Sequence, residues 1–484
     1  MVKTKQTLLL VLLSLGLVWN LHAQAWTLDS CISRAVQFNI ALQIGKNNVE
    51  LAEINEAASF GNMLPNLNGQ MSHGYNWGQR IDPFTNSFAT SRIRSNQIGV
   101  ASSVNLFNGF ALRNTYEQTK VSSDITRWNY NKTQNDVSLN VATSFLNVLM
   151  AKELVRKAER NLESTTTQAQ RIQKLVTGGQ LAQNAYTQIE SQLAANQASL
   201  TSAQNAFKLA KIQLMQWMRL DVREVDAFQI IAPEIPDDPN GSLIISNPDV
   251  AVQAALRAFP EIKSAELNVA YSKLGEKIAE GGYYPSLNAS VSLGTGYSGA
   301  AKVVTGNPDT LSFPIGTVYG SGNLVMSIPQ TYYSASDYST KSLGNQFTDN
   351  VNRSLFFTLN IPIFNGFSTK NSVHRARLNS EQAELQLEQS RMTLEQEVLR
   401  AHQDAMASFA NLQANKASRD AAQKALDWAQ SRYENGAIDF SEYFNARILF
   451  ENAQSLTTRA KFEYVFKISI LEFYQGKSIS LRHE

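Results

Sequence analysis

Cysteine is nearly absent from this chain. Cys31 is the only one in 484 residues, so no intramolecular disulfide holds the fold. Long apolar runs are missing as well: beyond residue 25 no stretch reaches the roughly 18 apolar residues of a membrane-crossing helix. There is no basic run and the net charge is only +2, which offers nothing to nucleic acid. Histidines are few and scattered (His22, His73, His374, His402, His483), with no His-Glu-x-x-His or His/Cys ligand spacing. Gly294-Thr295-Gly296 does not open a helix and is no phosphate loop. No Gly-x-Ser-x-Gly elbow stands at a strand-to-helix joint. These absences speak against an enzyme, and no metal or cofactor is expected. Glycine and proline are also missing from two long windows, 111–176 and 368–435.

What the chain does have is repetition, which bears on architecture before anything else. Leu106-Phe107-Asn108-Gly109-Phe110 returns as Ile363-Phe364-Asn365-Gly366-Phe367, a shift of 257 residues. The shift holds downstream, where Gln173, Gly179, Tyr186, Gln197, Thr201 and Ala203 fall on Gln430, Gly436, Tyr443, Gln454, Thr458 and Ala460. Upstream the shift is 220: Ala35 matches Ala255, Asn48-Val49 matches Asn268-Val269, and Pro65-Asn66-Leu67-Asn68 matches Pro285-Ser286-Leu287-Asn288. One unit is therefore built twice, over 26–220 and 248–484, and the second copy carries 37 extra residues (257 − 220) between its two marks.

Each copy reads as a helix, two strands and two more helices. Leu355, Phe357, Leu359, Ile361 and Ile363 alternate with Phe356, Thr358, Asn360, Pro362 and Phe364. Leu287, Ala289, Val291 and Leu293 alternate with Asn288, Ser290, Ser292 and Gly294, and Ile98, Val100, Val104 and Leu106 behave alike. Period-two alternation gives an apolar face and a polar or small one. Runs of about ten residues suit a tilted bilayer-crossing strand, although a half-buried sheet in a soluble protein shows the same pattern. The strands are expected within 66–107 and 284–364. The stretch from about Gly294 to Asn352 is rich in glycine, proline and tyrosine and reads as a long loop without helix. Tyr75, Trp77, Tyr283, Tyr284 and Tyr297 sit near strand ends, where an interfacial aromatic belt would lie.

The glycine- and proline-free windows predict helices of roughly 100 Å, within hairpins spanning 111–220 and 368–475. Leu378, Leu385, Met392, Leu399 and Met406 form a seven-residue row, as do Val141, Val148, Val155 and Leu162, which implies coiled-coil packing. Each long helix ends at glycine, Gly178-Gly179 or Gly436, and a further helix follows at once, so the partner runs back antiparallel.

Residues 1–25 read as a secretory signal. Lys3 and Lys5 precede an apolar run, with cleavage after Ala25 or Ala23. Segment 221–247 is acidic and proline-rich and reads as a linker between the copies. Four strands per chain cannot close a barrel, and an open edge is not tolerated in lipid, so strands placed in a membrane must be pooled between chains.

In this order of features the whole mature chain resembles the TolC family of outer-membrane efflux proteins. The paired Phe-Asn-Gly-Phe joints, the Pro-x-Leu-x strand entries, the glycine-tipped hairpins and the opening Trp26-Thr27-Leu28-Asp29-Ser30-Cys31-Ile32 carry the likeness. The resemblance implies an α+β membrane protein: a homotrimer with a 12-stranded β-barrel in outer-membrane lipid, continued by an α-helical coiled-coil tunnel through the periplasm. It also implies docking to a periplasmic adaptor protein and an inner-membrane transporter. Where the family narrows its periplasmic mouth with acidic residues, this chain has Glu442 and Asn445, so the gate would carry half the charge. Asp439-Phe440-Ser441-Glu442 also resembles a capping box, and the two roles are compatible. Gly178, Gly179, Leu181, Gly436 and Ile438 match the family's adaptor-docking tips, and the glycines also serve as helix caps. The resemblance implies a passive, gated duct for small molecules. A type I protein-secretion duct and a non-conducting coiled-coil envelope protein are the alternatives.

Overall fold

The computed structural model describes residues 25–89, 92–233 and 247–479. The expected signal, Ala25 apart, and residues 234–246 of the acidic segment lie outside the described residues. The chain divides into two compact units. One comprises Asn55–Thr119 and Ser272–Asn379. The other comprises the N-terminal residues to Ile54, then Lys120–Tyr271, then the chain from Ser380.

The first unit is built on a four-stranded antiparallel sheet of β1 (Asn68–Asn76), β4 (Ile93–Asn108), β5 (Ser286–Ser298) and β12 (Asn352–Asn360), in the order β1-β4-β5-β12. Short strands β2 (Arg80–Ile81) and β3 (Phe88–Ala89) pair in the first inter-strand loop. The second loop is not structureless. Strands β6 (Lys302–Val304), β7 (Asp309–Leu311) and β8 (Pro314–Thr317) fold back on β9 (Leu324–Met326), β10 (Gln330–Tyr332) and β11 (Tyr338–Thr340) as nested pairs. A helix, Leu343–Asp349, then corrects the expectation of no helix there. Ser342 caps it by accepting from Asn345 N at 3.4 Å. Its Gln346 side chain bonds the backbone of Ser298 in both directions, at 2.9 and 3.0 Å. Ser298 Oγ donates to buried Asp82 at 2.6 Å, and Asp82 accepts from Phe84 N and Thr85 N, both at 3.0 Å, so both loops are tied to the end of β5. Tyr297 is buried under Arg94, at 4.7 Å, and so leaves the expected aromatic belt; Tyr75, Trp77, Tyr283 and Tyr284 stay exposed.

Opposite residues of an antiparallel pair share a face. Met71, Ile98, Val100, Val291, Leu293, Leu355, Phe357 and Leu359 therefore lie on one side. Gln70, Ser72, Gln97, Ala101, Ser290, Ser292 and Thr358 lie on the other, with Phe356 as the large exception. β12 stops at Asn360, short of the expected 364, and the apolar residues beyond it are exposed, Ile363 at 95%. Both strand-to-helix joints put two successive residues in the left-handed region: Gly109 and Phe110 at φ 63°, Gly366 and Phe367 at 63° and 65°. A phenylalanine held there costs about 1–3 kcal/mol. Edge-on ring pairs, Phe107 with Phe110 at 5.2 Å and Phe364 with Phe367 at 5.6 Å, offset part of it.

The second unit is helical. Numbered in chain order, the described α-helices of the protein are α1 (Leu28–Phe38), α2 (Ile40–Gly61), α3 (Ala111–Thr177), α4 (Gln183–Trp217), α5 (Pro248–Ala258), α6 (Pro260–Glu280), α7 (Leu343–Asp349, the helix of the first unit), α8 (Ser368–Glu434) and α9 (Phe440–Tyr474); α3 and α8 have 67 residues each, α4 and α9 35 each. The equal lengths are the duplication in structural form, since α3 and α8 start and end 257 residues apart. Their common core joins Val141, Phe145 and Val148 of α3, Leu394, Val398 and Leu412 of α8, and Tyr464, Val465, Ile468 and Leu471 of α9. Cys31 and Ala35 of α1 and Ala255 and Ile262 from α5 and α6 complete it. None of the described helices is apolar and long enough to cross a membrane.

The coiled-coil seam of α8 is not the expected row. Leu378, Leu385, Met392, Leu399 and Met406 are all exposed, whereas Leu394, Val398, Ala401, Ala405 and Leu412 are buried. The two rows lie roughly 130° apart round the helix. Ala401 and Ala405 interrupt the buried row, which is why a search for an unbroken row of large apolar residues selects the wrong one. In α3 the expected row does face inward, with Val141 and Val148 fully buried. The described start of the acidic segment is packed on the helices. Phe228 and Ile230 are in the core, and Trp26 N donates to Gln229 O at 2.9 Å while Ile231 N donates to Trp26 O at 2.9 Å.

Candidate functional site at the hairpin tips

Both helical hairpins turn by the same hydrogen bonds. In the first, Gly179 N donates to Val176 O at 3.0 Å and Gln180 N to Leu175 O at 2.8 Å. In the second, Gly436 N donates to Tyr433 O at 3.0 Å and Ala437 N to Arg432 O at 2.8 Å. Gly179 and Gly436 sit at φ 73° and 71°, where only glycine is unstrained. A side chain at either would meet nothing within 4 Å, so φ and not crowding dictates glycine, and the backbone there is open to a partner. Beside the turns Leu181 is exposed and Ile438 half-buried, with Gly178 donating to Lys174 O at 2.9 Å.

The second tip is chemically richer. Asp439 is the N-cap of α9 and accepts from Glu442 N at 2.9 Å. Only this half of the expected capping box forms, because the Glu442 carboxylate turns to Arg432, 3.5 Å away, with both side chains exposed. Asn445 is exposed one turn further on, on the face of Glu442. The helix N-terminus favours a carboxylate at this place.

Sequence reasoning missed Arg171. It comes from the first hairpin, on α3, and reaches the second. Its guanidinium donates to Tyr433 Oη at 2.5 Å and lies 4.4 Å from the Phe440 ring centre. Tyr433 stacks on Tyr443 at 5.2 Å and 11°, and Phe440 packs on Phe444 at 5.6 Å. One arginine thus ties the first hairpin to an aromatic group that brackets the second glycine turn. A signal was present: Tyr433, Phe440 and Phe444 have Val176, Gln183 and Thr187 as repeat counterparts, so the aromatics belong to one copy alone.

Residues 31–218 and 325–465 match the family described as Outer membrane efflux protein. No curated protein matches the chain by sequence. Among solved structures the fold is similar to the CmeC outer membrane channel of Campylobacter jejuni, at 16% identity and TM-score 0.72, covering 94% of this chain and 87% of that one. It is also similar to the outer membrane protein VceC of Vibrio cholerae, at 12% identity and TM-score 0.71, covering 94% and 97%. The open-state MtrE outer membrane channel of Neisseria gonorrhoeae gives 15% identity and TM-score 0.69, covering 94% and 90%. The chain belongs to the outer membrane efflux protein family. It is an outer-membrane efflux duct, a passive conduit and not an enzyme.

Proposed function

We propose that three copies of this chain form the exit duct of a tripartite pump, pooling their strands into a 12-stranded barrel. One observation carries the reading. Among the described residues the sheet has two unpartnered edges, β1 and β12, and it carries an exposed apolar face of Leu355, Phe357 and Leu359. Lipid accepts an apolar face but not an open edge, so the edges must meet those of other copies. The exposed Leu385–Met392–Leu399–Met406 row on α8 supports the same association along the helices. Light scattering of the detergent-solubilised protein, corrected for bound detergent, should give three chains. A stable monomer overturns the proposal.

At the tips, Glu442 and Asn445 would ring the periplasmic mouth, with one carboxylate per chain attracting cations. Gly178, Gly179, Leu181, Gly436 and Ile438 would receive an adaptor protein, which in turn joins an inner-membrane transporter supplying the energy. Cysteines at Leu181 and Ile438 should cross-link to the adaptor in cells. Linking confined to mid-helix positions would remove the tips from that role.

A further inference from the structure

The duplication does more than repeat elements; it repeats the strand register. In the first hairpin Asn68 faces Ala101, Met71 faces Ile98 and Gly74 faces Ser95. In the second, Asn288 faces Thr358, Val291 faces Leu355 and Gly294 faces Asn352. Each second pair is the first one moved by the sequence shifts of 220 and 257. The chain also contains one seam between hairpins, β4 against β5, where Ala101 faces Ser292 and Gly99 faces Gly294. The corresponding outer edges, β12 and β1, have no strand partner among the described residues.

Three features show those edges shaped for a seam of the same kind. The first is a glycine contact. A Cβ on Gly109 would stand 2.3 Å from Gly281 O and one on Gly281 3.0 Å from Gly109 O, so glycine packs closely on glycine at this joint. Their repeat counterparts Gly366 and Gly61 meet nothing within 4 Å, and Gly61 has no positive φ to account for it. The second is length. β4 runs on to Asn108 because Phe107 and Asn108 pair with Leu287 and Ser286. The counterparts of these residues, Phe364 and Leu67, are 76% and 75% exposed, and β12 stops early. The third is shape. The repeat counterparts of the facing pair Gly99 and Gly294 are Phe356, a large exposed ring, and Gly74, a glycine with open space around it; an aromatic ring set across from a glycine stabilises sheets.

We infer that β12 of one copy pairs with β1 of the next in the register of the β4–β5 seam. Thr358 then faces Ser72, Phe357 faces His73, Phe356 covers Gly74, Gly366 abuts Gly61, and β12 lengthens to Asn365. The inference rests on the trimer proposed above and adds its interface.

Disulfide trapping tests it in the full-length protein. Opposite Cα atoms lie about 4.5–5.5 Å apart, inside the roughly 4.4–6.8 Å a disulfide spans. A two-residue slip moves them by about 6.8 Å along the strand and out of range. Thr358→Cys with Ser72→Cys should give linked dimers and trimers on a non-reducing gel. Thr358→Cys with Gln70→Cys or with Gly74→Cys should give about ten-fold less, because a disulfide tolerates little excess in Cα separation. Ala101→Cys with Ser292→Cys is the intrachain control. The native Cys31 is buried, its thiol pushed up to about 12 by that burial, and it stays out of the reaction. Preferential linking of a slipped pair, or no linking in a particle of three chains, overturns the register while leaving the trimer. A particle of one chain overturns the trimer itself.

Discussion

Arg171→Ala should loosen the second hairpin tip while leaving the helical core alone. The guanidinium makes one charge-assisted hydrogen bond, to Tyr433 Oη, and its nearer ring contact is to Phe440, at 4.4 Å against 5.5 Å for the Tyr433 ring. The hydrogen bond is worth about 1.5–3 kcal/mol when buried and the ring contact about 0.5–1 kcal/mol at an exposed site. Arg171 and Tyr433 are both half-buried, so water replaces part of what is lost. A net loss of about 1–2 kcal/mol follows, a factor of roughly 5–30 in the local opening equilibrium. Amide hydrogen exchange reads this directly: protection from Tyr433 to Phe444 should fall by that factor, while amides around Leu394–Leu412 should not change. Tyr433→Phe removes only the hydrogen bond and should give a smaller effect. Arg171→Lys keeps the charge but loses the planar contact and should fall between. In planar bilayers the Arg171→Ala channel should dwell longer in conducting states. Unchanged tip exchange in Arg171→Ala would refute the restraint, whatever the conductance does.

Other perturbations have equally definite outcomes. Burial raises the Glu261 carboxyl above its ordinary value, with Glu397 and Asp136 pushing the same way and Lys132 opposing. The folded state therefore holds this proton more tightly than the unfolded one, and stability falls as pH rises from the unfolded value of about 4.3 through the folded one. Glu261→Gln should raise the unfolding midpoint at neutral pH, and the gain should vanish in acid. Burial alone would raise Asp82 too, but hydrogen bonds from Ser298, Thr85 and Phe84 outweigh it and hold the carboxyl low. Its contribution is present at neutral pH and lost as pH falls through that lowered value. Asp82→Ala leaves the buried Ser298 hydroxyl without its acceptor, at about 1–3 kcal/mol, and should speed proteolysis of the 80–89 loop. Gly61→Leu meets open space within one chain but would overpack the proposed seam by about 1–3 kcal/mol. The trimer should dissociate at lower temperature in detergent while monomer helix content holds.

The duplication was legible because both copies kept the residues whose backbone is special, above all Asn-Gly-Phe at the joints and glycine at the tips. The long helices were legible because neither glycine nor proline interrupts 67 residues, and both predicted ends fall within one residue of those observed. The seam of α8 was not. Its large residues, Leu394, Val398 and Leu412, are interrupted by Ala401 and Ala405, so the unbroken exposed row through Leu385 and Met392 masked it. The helix at Leu343–Asp349 has seven residues, too few to show a period, and is held by Gln346 bonding to a strand 48 residues away. Arg171 and Tyr433 are 262 residues apart, and no local pattern joins them. The end of β12 was misread for an instructive reason: its alternation runs on to Ile363, but no strand among the described residues pairs with that end.

That last discrepancy bears on assembly. If the seam between chains copies the seam within a chain, each hairpin-to-hairpin step turns the sheet by the same angle. The number of chains is then written into the geometry of β4 against β5 and not into any surface patch. Six equal steps close a ring at about 60° each, which is three chains of two hairpins and a sheet without edges. The two seams nevertheless differ in chemistry: Gly99 lies on Gly294 inside the chain, whereas the inferred register sets the exposed Phe356 on Gly74 between chains. The glycine pair forms within one polypeptide at little entropic cost, whereas the edge must recruit a separate molecule, which costs translational and rotational freedom. An aromatic ring placed at that second seam adds contact where association has most to overcome. Duplication followed by such divergence converts a two-fold internal repeat into a three-fold particle without changing the strand register.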